Sequence, residues 1–217
     1  MSPTQRGLAD QPSGRGRDGR STDIPSGGGV PAWVGVTLNH CSRCGATLVY
    51  GPQDGELRHR LACPGCGHIA YVNPRLVATT LPITDAGEIV LIRRGIEPAI
   101  GAWAQPGGFL EVDETVHEAA VRETLEETGL AVEPGPIVGL YSRLEAVVVV
   151  VVFEARVVGG AARPTVEATE IQAFAPAAIP WDGVGFKTTY YALVDWLALR
   201  HPDLAPGAPP AWRRWQG

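Results

Sequence analysis

Apolar positions fall in short runs separated by turn residues along most of the chain. Leu76-Val77-Ala78-Thr79-Thr80-Leu81 and Ile89-Val90-Leu91-Ile92 read as strands. Thr84-Asp85-Ala86-Gly87 between them supplies the Asp and Gly of a tight turn, so the pair is predicted as a hairpin. Residues 113–128 read as a helix, with Asp113 as N-cap and Val116, Ala119, Ala120, Thr124 and Leu125 on the inward side. Gly129 ends that helix, and Pro134 and Pro136 prevent its return. Further strands are predicted over 137–141, 147–155 and 171–174, and a second helix over 188–199 with Tyr191, Leu193, Val194, Leu197 and Ala198 at helical spacing. The pattern is α/β with a terminal packing helix. The longest apolar run, Ala146 to Phe153, contains six consecutive valines. It is far shorter than the roughly 20 residues that cross a bilayer, and its β-branched side chains suit a strand covered on both faces.

Composition divides the chain further. Its 217 residues include 27 Gly and 19 Pro, but seven of those glycines lie in the first thirty residues, among Ser, Gln and Arg and almost no large apolar side chains. Residues 1–37 are therefore expected to be a disordered arm. Residues 38–73 hold every cysteine, residues 74–200 form the larger domain, and residues 201–217 are a tail. The formal net charge is −5, and the acidic balance argues against a nucleic-acid-coating protein. Arg6, Arg15, Arg17 and Arg20 are followed by no apolar core, so no secretion signal is read and a cytoplasmic location, with no membrane association, is expected.

Cys41-Ser42-Arg43-Cys44 and Cys63-Pro64-Gly65-Cys66 make two C-x2-C pairs 18 residues apart, a spacing used by four-thiolate zinc sites. Short strands at 47–50 and 57–61 would carry the pairs around a 51–55 turn. Two disulfides are the competing reading, but thiols in a reducing compartment favour Zn2+ held by Cys41, Cys44, Cys63 and Cys66. A module of some 35 residues has too little core to fold alone, and coordination contributes the missing stability. His40, His59 and His68 lie nearby in sequence and are read as surface residues, since four cysteines already fill a tetrahedron.

The most informative stretch follows Gly107. On a helix Glu123 stands three and four residues from Glu126 and Glu127, so three carboxylates gather on adjoining faces. Like charges at that spacing repel by roughly 0.2–0.5 kcal/mol per pair. A divalent cation reverses the sign, and hard oxygen donors suit Mg2+ or Mn2+. From Gly108 the order is Gly, five residues, Glu114, seven residues, Arg122-Glu123, two residues, Glu126-Glu127, one residue, Gly129 and an aliphatic residue. This resembles the signature box of the Nudix hydrolases, with Thr124 where an aliphatic side chain is usual. Cys63-Pro64-Gly65-Cys66-Gly67-His68, Tyr71-Val72-Asn73-Pro74-Arg75 and Trp103-Ala104-Gln105-Pro106-Gly107-Gly108-Phe109 resemble the zinc-ribbon subgroup related to NADH and ADP-ribose pyrophosphatases.

The resemblance implies a Nudix α/β/α sandwich with a small N-terminal zinc-ribbon module. It implies that Glu114 and Arg122 pair to brace the loop carrying Gly108, that Glu123, Glu126 and Glu127 bind catalytic Mg2+ or Mn2+, and that the enzyme forms a homodimer. The reaction implied is hydrolysis of the diphosphate bond in a nucleoside diphosphate derivative such as ADP-ribose, FAD or NADH. Glu126, Glu127 and, by resemblance, Glu167 are the candidates for taking the proton of the attacking water. The Ser-Gln-Pro-Trp-Pro-Phe-Pro-like motif of NADH pyrophosphatases is absent, its place being taken by Ser142-Arg143-Leu144-Glu145-Ala146, and so is the proline that often marks ADP-ribose pyrophosphatases. A base or flavin would stack on an aromatic face. Trp103 and Phe186 are the substrate-binding candidates, with Tyr141 a third, and the lone lysine, Lys187, lies beside Phe186. Two other readings are a nucleotide-sensing or RNA-associated zinc-ribbon module with weak hydrolysis, and a nucleoside triphosphate or capped-RNA pyrophosphohydrolase.

Overall fold

The computed structural model describes residues 38–204; the arm expected over 1–37 and residues 205–217 of the expected tail lie outside the described residues. Two compact units divide between Tyr71 and Val72. The first holds three short antiparallel strands, β1 (Val49–Gly51), β2 (Arg60–Ala62) and β3 (Ile69–Ala70), in sequential order. β3 has only two residues, too few for any alternation to mark it. Leu48 and Leu61 are the buried aliphatic side chains beside the buried Cys41 and Cys63, which leaves little apolar core.

The second unit is a mixed sheet between two helices, as the sandwich expected from sequence requires. Its strands are β4 (Arg75–Ile83), β5 (Ile89–Arg94), β6 (Trp103–Ala104), β7 (Gly107–Phe109), β8 (Leu130–Arg143), β9 (Val148–Gly160) and β10 (Ala168–Phe174). The main order is β10-β5-β4-β9-β8, with β6 added to β5 and β7 added to β4. β9 lies parallel to β4 and antiparallel to β8, which makes the valine run a central strand. Alternation along it feeds two cores. Val148, Val150 and Val152 pack with Leu193, Trp196 and Leu197 of helix α2 (Lys187–Arg200), whereas Val151 and Phe153 pack with Ala119 and Ala120 of helix α1 (Val116–Thr128). Ala119 and Ala120 are small enough for α1 to lie close on β4. Among the described residues no helix is long and apolar enough to cross a membrane.

Three expectations need correction. Thr115, not Asp113, caps α1: its hydroxyl accepts from the Glu118 N–H at 3.3 Å while the Glu118 carboxylate accepts from the Thr115 N–H at 2.8 Å. Leu125, expected inward, is 48% exposed, and the buried stripe of the last turns is Thr124, Glu127 and Thr128. The strand expected over 137–141 begins directly after Gly129 and runs 14 residues, through both prolines. An outer strand tolerates this because one of its edges needs no donor, and its pairing with β9 is irregular between Pro134 and Ile137.

The pairing of β4 with β5 shapes the site. These strands meet only at Ile83 and Ile89, and beyond that point they part. β7 takes the freed edge of β4 and β6 that of β5, so the loop between Arg94 and Gly107 lies in the opening.

Thr124, the departure from the resemblance, has a partner that accounts for it. Its hydroxyl donates to the Ala120 carbonyl at 2.7 Å and lies 2.7 Å from the fully buried Thr80 hydroxyl, which is left to donate to it. Replacing Thr124 by Val strands the Thr80 hydroxyl in a dry core at a cost of about 1–3 kcal/mol. In urea unfolding, Thr124→Val is expected to lose that amount and Thr80→Val with Thr124→Val to regain most of it; a double variant no more stable than the single one would contradict the pairing.

Candidate functional site

Glu114, just before α1, and Glu123 and Glu126 on α1 converge on one guanidinium. Arg122 grips Glu114 with two bonds, Nε to Oε2 at 2.9 Å and Nη2 to Oε1 at 2.6 Å. Its Nη1 reaches Glu123 at 2.7 Å and Glu126 at 3.2 Å, and its Nη2 also donates to the Phe109 carbonyl at 3.2 Å. Such a fork-shaped cation matches a carboxylate in both geometry and charge. Arg122 holds the Glu114 carboxyl down at about 2, helped by the Glu111 N–H at 2.9 Å. The carboxylates in return push the Arg122 guanidinium above its ordinary value.

Glu127 has a different environment. It is 7% exposed, and its Oε2 accepts the Gly107 N–H at 2.8 Å. Burial pushes its carboxyl up to about 7; the Gly107 bond opposes this, the Glu123 and Glu167 charges reinforce it, and the Arg94 charge opposes it. Glu123 is also raised, first by burial, against the pull of Arg122 and with the help of Glu126 and Glu167. Gly107 and Gly108 make this crowding sterically possible. Gly107 has φ +147°, and a Cβ there would come 2.4 Å from the Ala78 carbonyl; a Cβ on Gly108 would come 2.4 Å from the Glu123 carboxyl carbon.

Glu123 and Glu127 line a cavity of about 590 Å3 in the opening between β4 and β5. Glu167, from the segment before β10, lines it as well, so the structure brings this distant carboxylate to the helix pair. Glu126 does not line it; its side chain is 59% exposed and rests on Arg122 beside Glu123. The floor is apolar, with Val77, Val148 and Val150. Three cations border it, Arg75, Arg94 and Arg143. Arg75 lies over the Phe109 ring, 4.1 Å from its centroid, and Arg94 donates to the Pro98 carbonyl at 2.8 Å.

Of the aromatic candidates, Phe186 lines this cavity and Trp103 does not. Trp103 is 5% exposed and packs edge-on against Phe174, 5.0 Å between centroids, so it belongs to the core. The Tyr141 hydroxyl donates to Asp195 at 2.7 Å, also away from the cavity lining. Lys187 is exposed and outside the lining too. Sequence reasoning gave no role to Arg94, Arg143, Gln105 or Thr189. They come from four separate segments, and only their common position in the fold marks them.

In the first unit the four cysteines are unbridged, and their sulfurs lie within 4.8 Å of one another. Cys41 and Cys66 are 3.7 Å apart and Cys44 and Cys63 3.4 Å apart. A disulfide needs about 2.05 Å, whereas a tetrahedron with bonds of about 2.3 Å has edges of roughly 3.8 Å. The cluster fits a thiolate-bound zinc ion, and no histidine joins it among the described residues.

Comparison with known proteins agrees with both units. The NUDIX domain family matches residues 74–194, and the Nudix N-terminal zinc-ribbon family matches residues 39–72. An ADP-ribose pyrophosphatase of Methanocaldococcus jannaschii is 37% identical over 108 residues, 48% of this chain and 63% of that protein. The NAD-capped RNA hydrolase NudC of Pseudomonas aeruginosa is 32% identical over 107 residues, 48% of this chain and 36% of that protein. The chain thus spans less than two thirds of either relative. A crystal structure of a NUDIX hydrolase from Nitrosomonas europaea superimposes with a TM-score of 0.72 at 30% identity, covering 79% of this chain and 97% of that one.

The raised Glu127 carboxyl has a consequence for stability. An acid that binds its proton more tightly in the folded chain than at its ordinary value of 4.5 contributes stability that is fully present below that value and lost as pH rises through about 7. In thermal denaturation without added divalent cation, wild type is expected to lose stability between pH 5 and 8 relative to Glu127→Gln, whose amide oxygen still accepts from Gly107. Parallel pH profiles for the two proteins would show that Glu127 titrates normally.

Proposed function

The chain belongs to the Nudix family, and from that membership we propose that it hydrolyses the diphosphate bond of a nucleoside diphosphate derivative, of the ADP-ribose, FAD or NADH type, with Mg2+ or Mn2+. The observation that carries this reading is the buried Glu127 beside the half-buried Glu123, sharing one cavity with Glu167. Burying like charges costs stability unless a cation joins them. Glu123 and Glu127 from within, and Glu126 from the exposed side of the same helix, would hold the divalent cation; their hard oxygens suit it. Once bound, the cation shields the phosphoryl oxygens and lowers the pKa of the attacking water.

The remaining work falls to the chain. Arg122 fixes the direction of Glu123 and, through Glu114 and the Phe109 carbonyl, ties the loop to the helix. Gly107 holds Glu127 by its N–H. Arg75, Arg94 and Arg143 give the cavity a cationic border for the anionic substrate. Glu167 takes the proton of the attacking water, because it reaches the cavity from outside the α1 carboxylate set. Cys41, Cys44, Cys63 and Cys66 hold a structural zinc ion, whose four protein ligands leave no open position for chemistry.

A panel of ADP-ribose, FAD, NADH, NAD-capped RNA and 8-oxo-dGTP, read by product identity, tests this function. AMP release from an adenine dinucleotide is expected, whereas pyrophosphate release from the triphosphate alone would replace the reading. Glu167→Gln should lower kcat by about 10²- to 10⁴-fold while leaving the Mn2+-induced rise in thermal stability intact. Unchanged kcat would remove Glu167 from the role. Cys63→Ser, or zinc removal by a chelator, should unfold residues 39–71, seen as loss of their amide protection in hydrogen exchange; full protection after zinc is removed would contradict a zinc-dependent fold.

A further inference from the structure

Among the described residues two buried side-chain polar atoms lack a hydrogen-bond partner, Gln105 Oε1 and Thr189 Oγ1, and both residues line the cavity of the carboxylates. Gln105 is 7% exposed and Thr189 1%. A buried polar atom without a partner costs about 1–3 kcal/mol, and such atoms call for an explanation at a functional site.

Their placement is not scattered. Gln105 follows β6, and Thr189 stands in the first turn of α2, three residues after Phe186. The two segments run side by side. Trp103 bridges Val184 in parallel, the Gly185 N–H donates to the Trp103 carbonyl at 3.0 Å, and Ala104 packs with Phe186. Beside them Phe186 is covered by two guanidinium groups, Arg94 at 5.1 Å and Arg143 at 5.6 Å from its ring centroid. A phenyl ring with guanidinium groups gathered around it suits a flat heterocycle, since nucleobases stack on both.

We propose that Gln105 and Thr189 read the edge of the substrate's heterocycle, with Gln105 Oε1 accepting an exocyclic N–H and the Thr189 hydroxyl donating to the adjacent ring nitrogen. A 6-aminopurine presents that donor beside that acceptor. The inference rests on the reading of this cavity as the substrate cleft, and it names the class of base the cleft selects. Sites that hydrogen-bond a substrate group reject the analogue lacking it, because their own polar atoms then stay unpaired.

The test uses AMP and purine riboside 5′-monophosphate, its analogue with hydrogen in place of the 6-amino group. Neither has a phosphoanhydride, so binding is read without hydrolysis, and a failure of the enzymatic reading remains separate from a failure of this one. By titration calorimetry with the zinc-containing full chain and Mg2+, AMP is expected to bind about tenfold more tightly than the analogue. Gln105→Leu and Thr189→Val should each reduce that preference towards one while thermal stability stays equal or rises, because a buried unpaired atom has been removed. Equal binding of the two nucleotides by wild type, no binding of either, or a preference that survives both substitutions would overturn the proposal.

Discussion

One guanidinium holds the site in shape. Arg122 touches Glu114, Glu123, Glu126 and the Phe109 carbonyl, so it joins α1, the loop before it and β7 at one point. Without a cation there, Glu123, Glu126 and Glu127 would repel one another and the Gly107-Gly108 segment would have no reason to lie on them. Arg122 satisfies the outer carboxylates. The inner one, Glu127, is left with the Gly107 N–H, the more distant pull of Arg94 and a carboxyl pushed up to about 7. We propose that this setting, a buried carboxylate beside another that is also raised, serves to receive a divalent cation.

The sheet makes room for that charge. β9 runs parallel to β4 over the full length of β4 and gives the unit its rigid centre, with a helix against each face. On the other side β4 separates from β5 after a single pair, and the two short strands β6 and β7 fill the exposed edges. The cavity follows from this separation. Its helix carboxylates come from α1, its base-facing groups from the loop after β6 and the start of α2, and its third carboxylate from the approach to β10.

How much of this was legible in the chain varies with how local each feature is. Glu123, Glu126 and Glu127 share one helix, so their spacing alone places them together, and the same holds for the two C-x2-C pairs across one hairpin. The Thr115 cap was missed because Asp113 is an equally good capping residue two positions earlier, and the choice depends on Glu118 closing the box. The strand predicted over 137–141 leaves out the first part of β8; Pro134 and Pro136 offer no ladder N–H, and only topology shows that β8 is an outer strand that tolerates them. Trp103 and Phe186 looked alike as stacking candidates; the bridge to Val184 and the contact with Phe174 bury the first, whereas the second faces the cavity. Gln105 and Thr189 carry no local signal, since nothing in a sequence marks a polar atom as unpaired.

We propose that the carboxylates crowded by Arg122 and Gly107 form a divalent-cation site in the cavity between β4 and β5. Anomalous diffraction from crystals grown with Mn2+ tests it most directly. Manganese is expected at coordination distance from Glu123 and Glu127, inside the cavity that Glu167 also borders. Crystals in which Glu123 and Glu127 keep their positions but manganese is absent from them, or sits elsewhere on the chain, would contradict it.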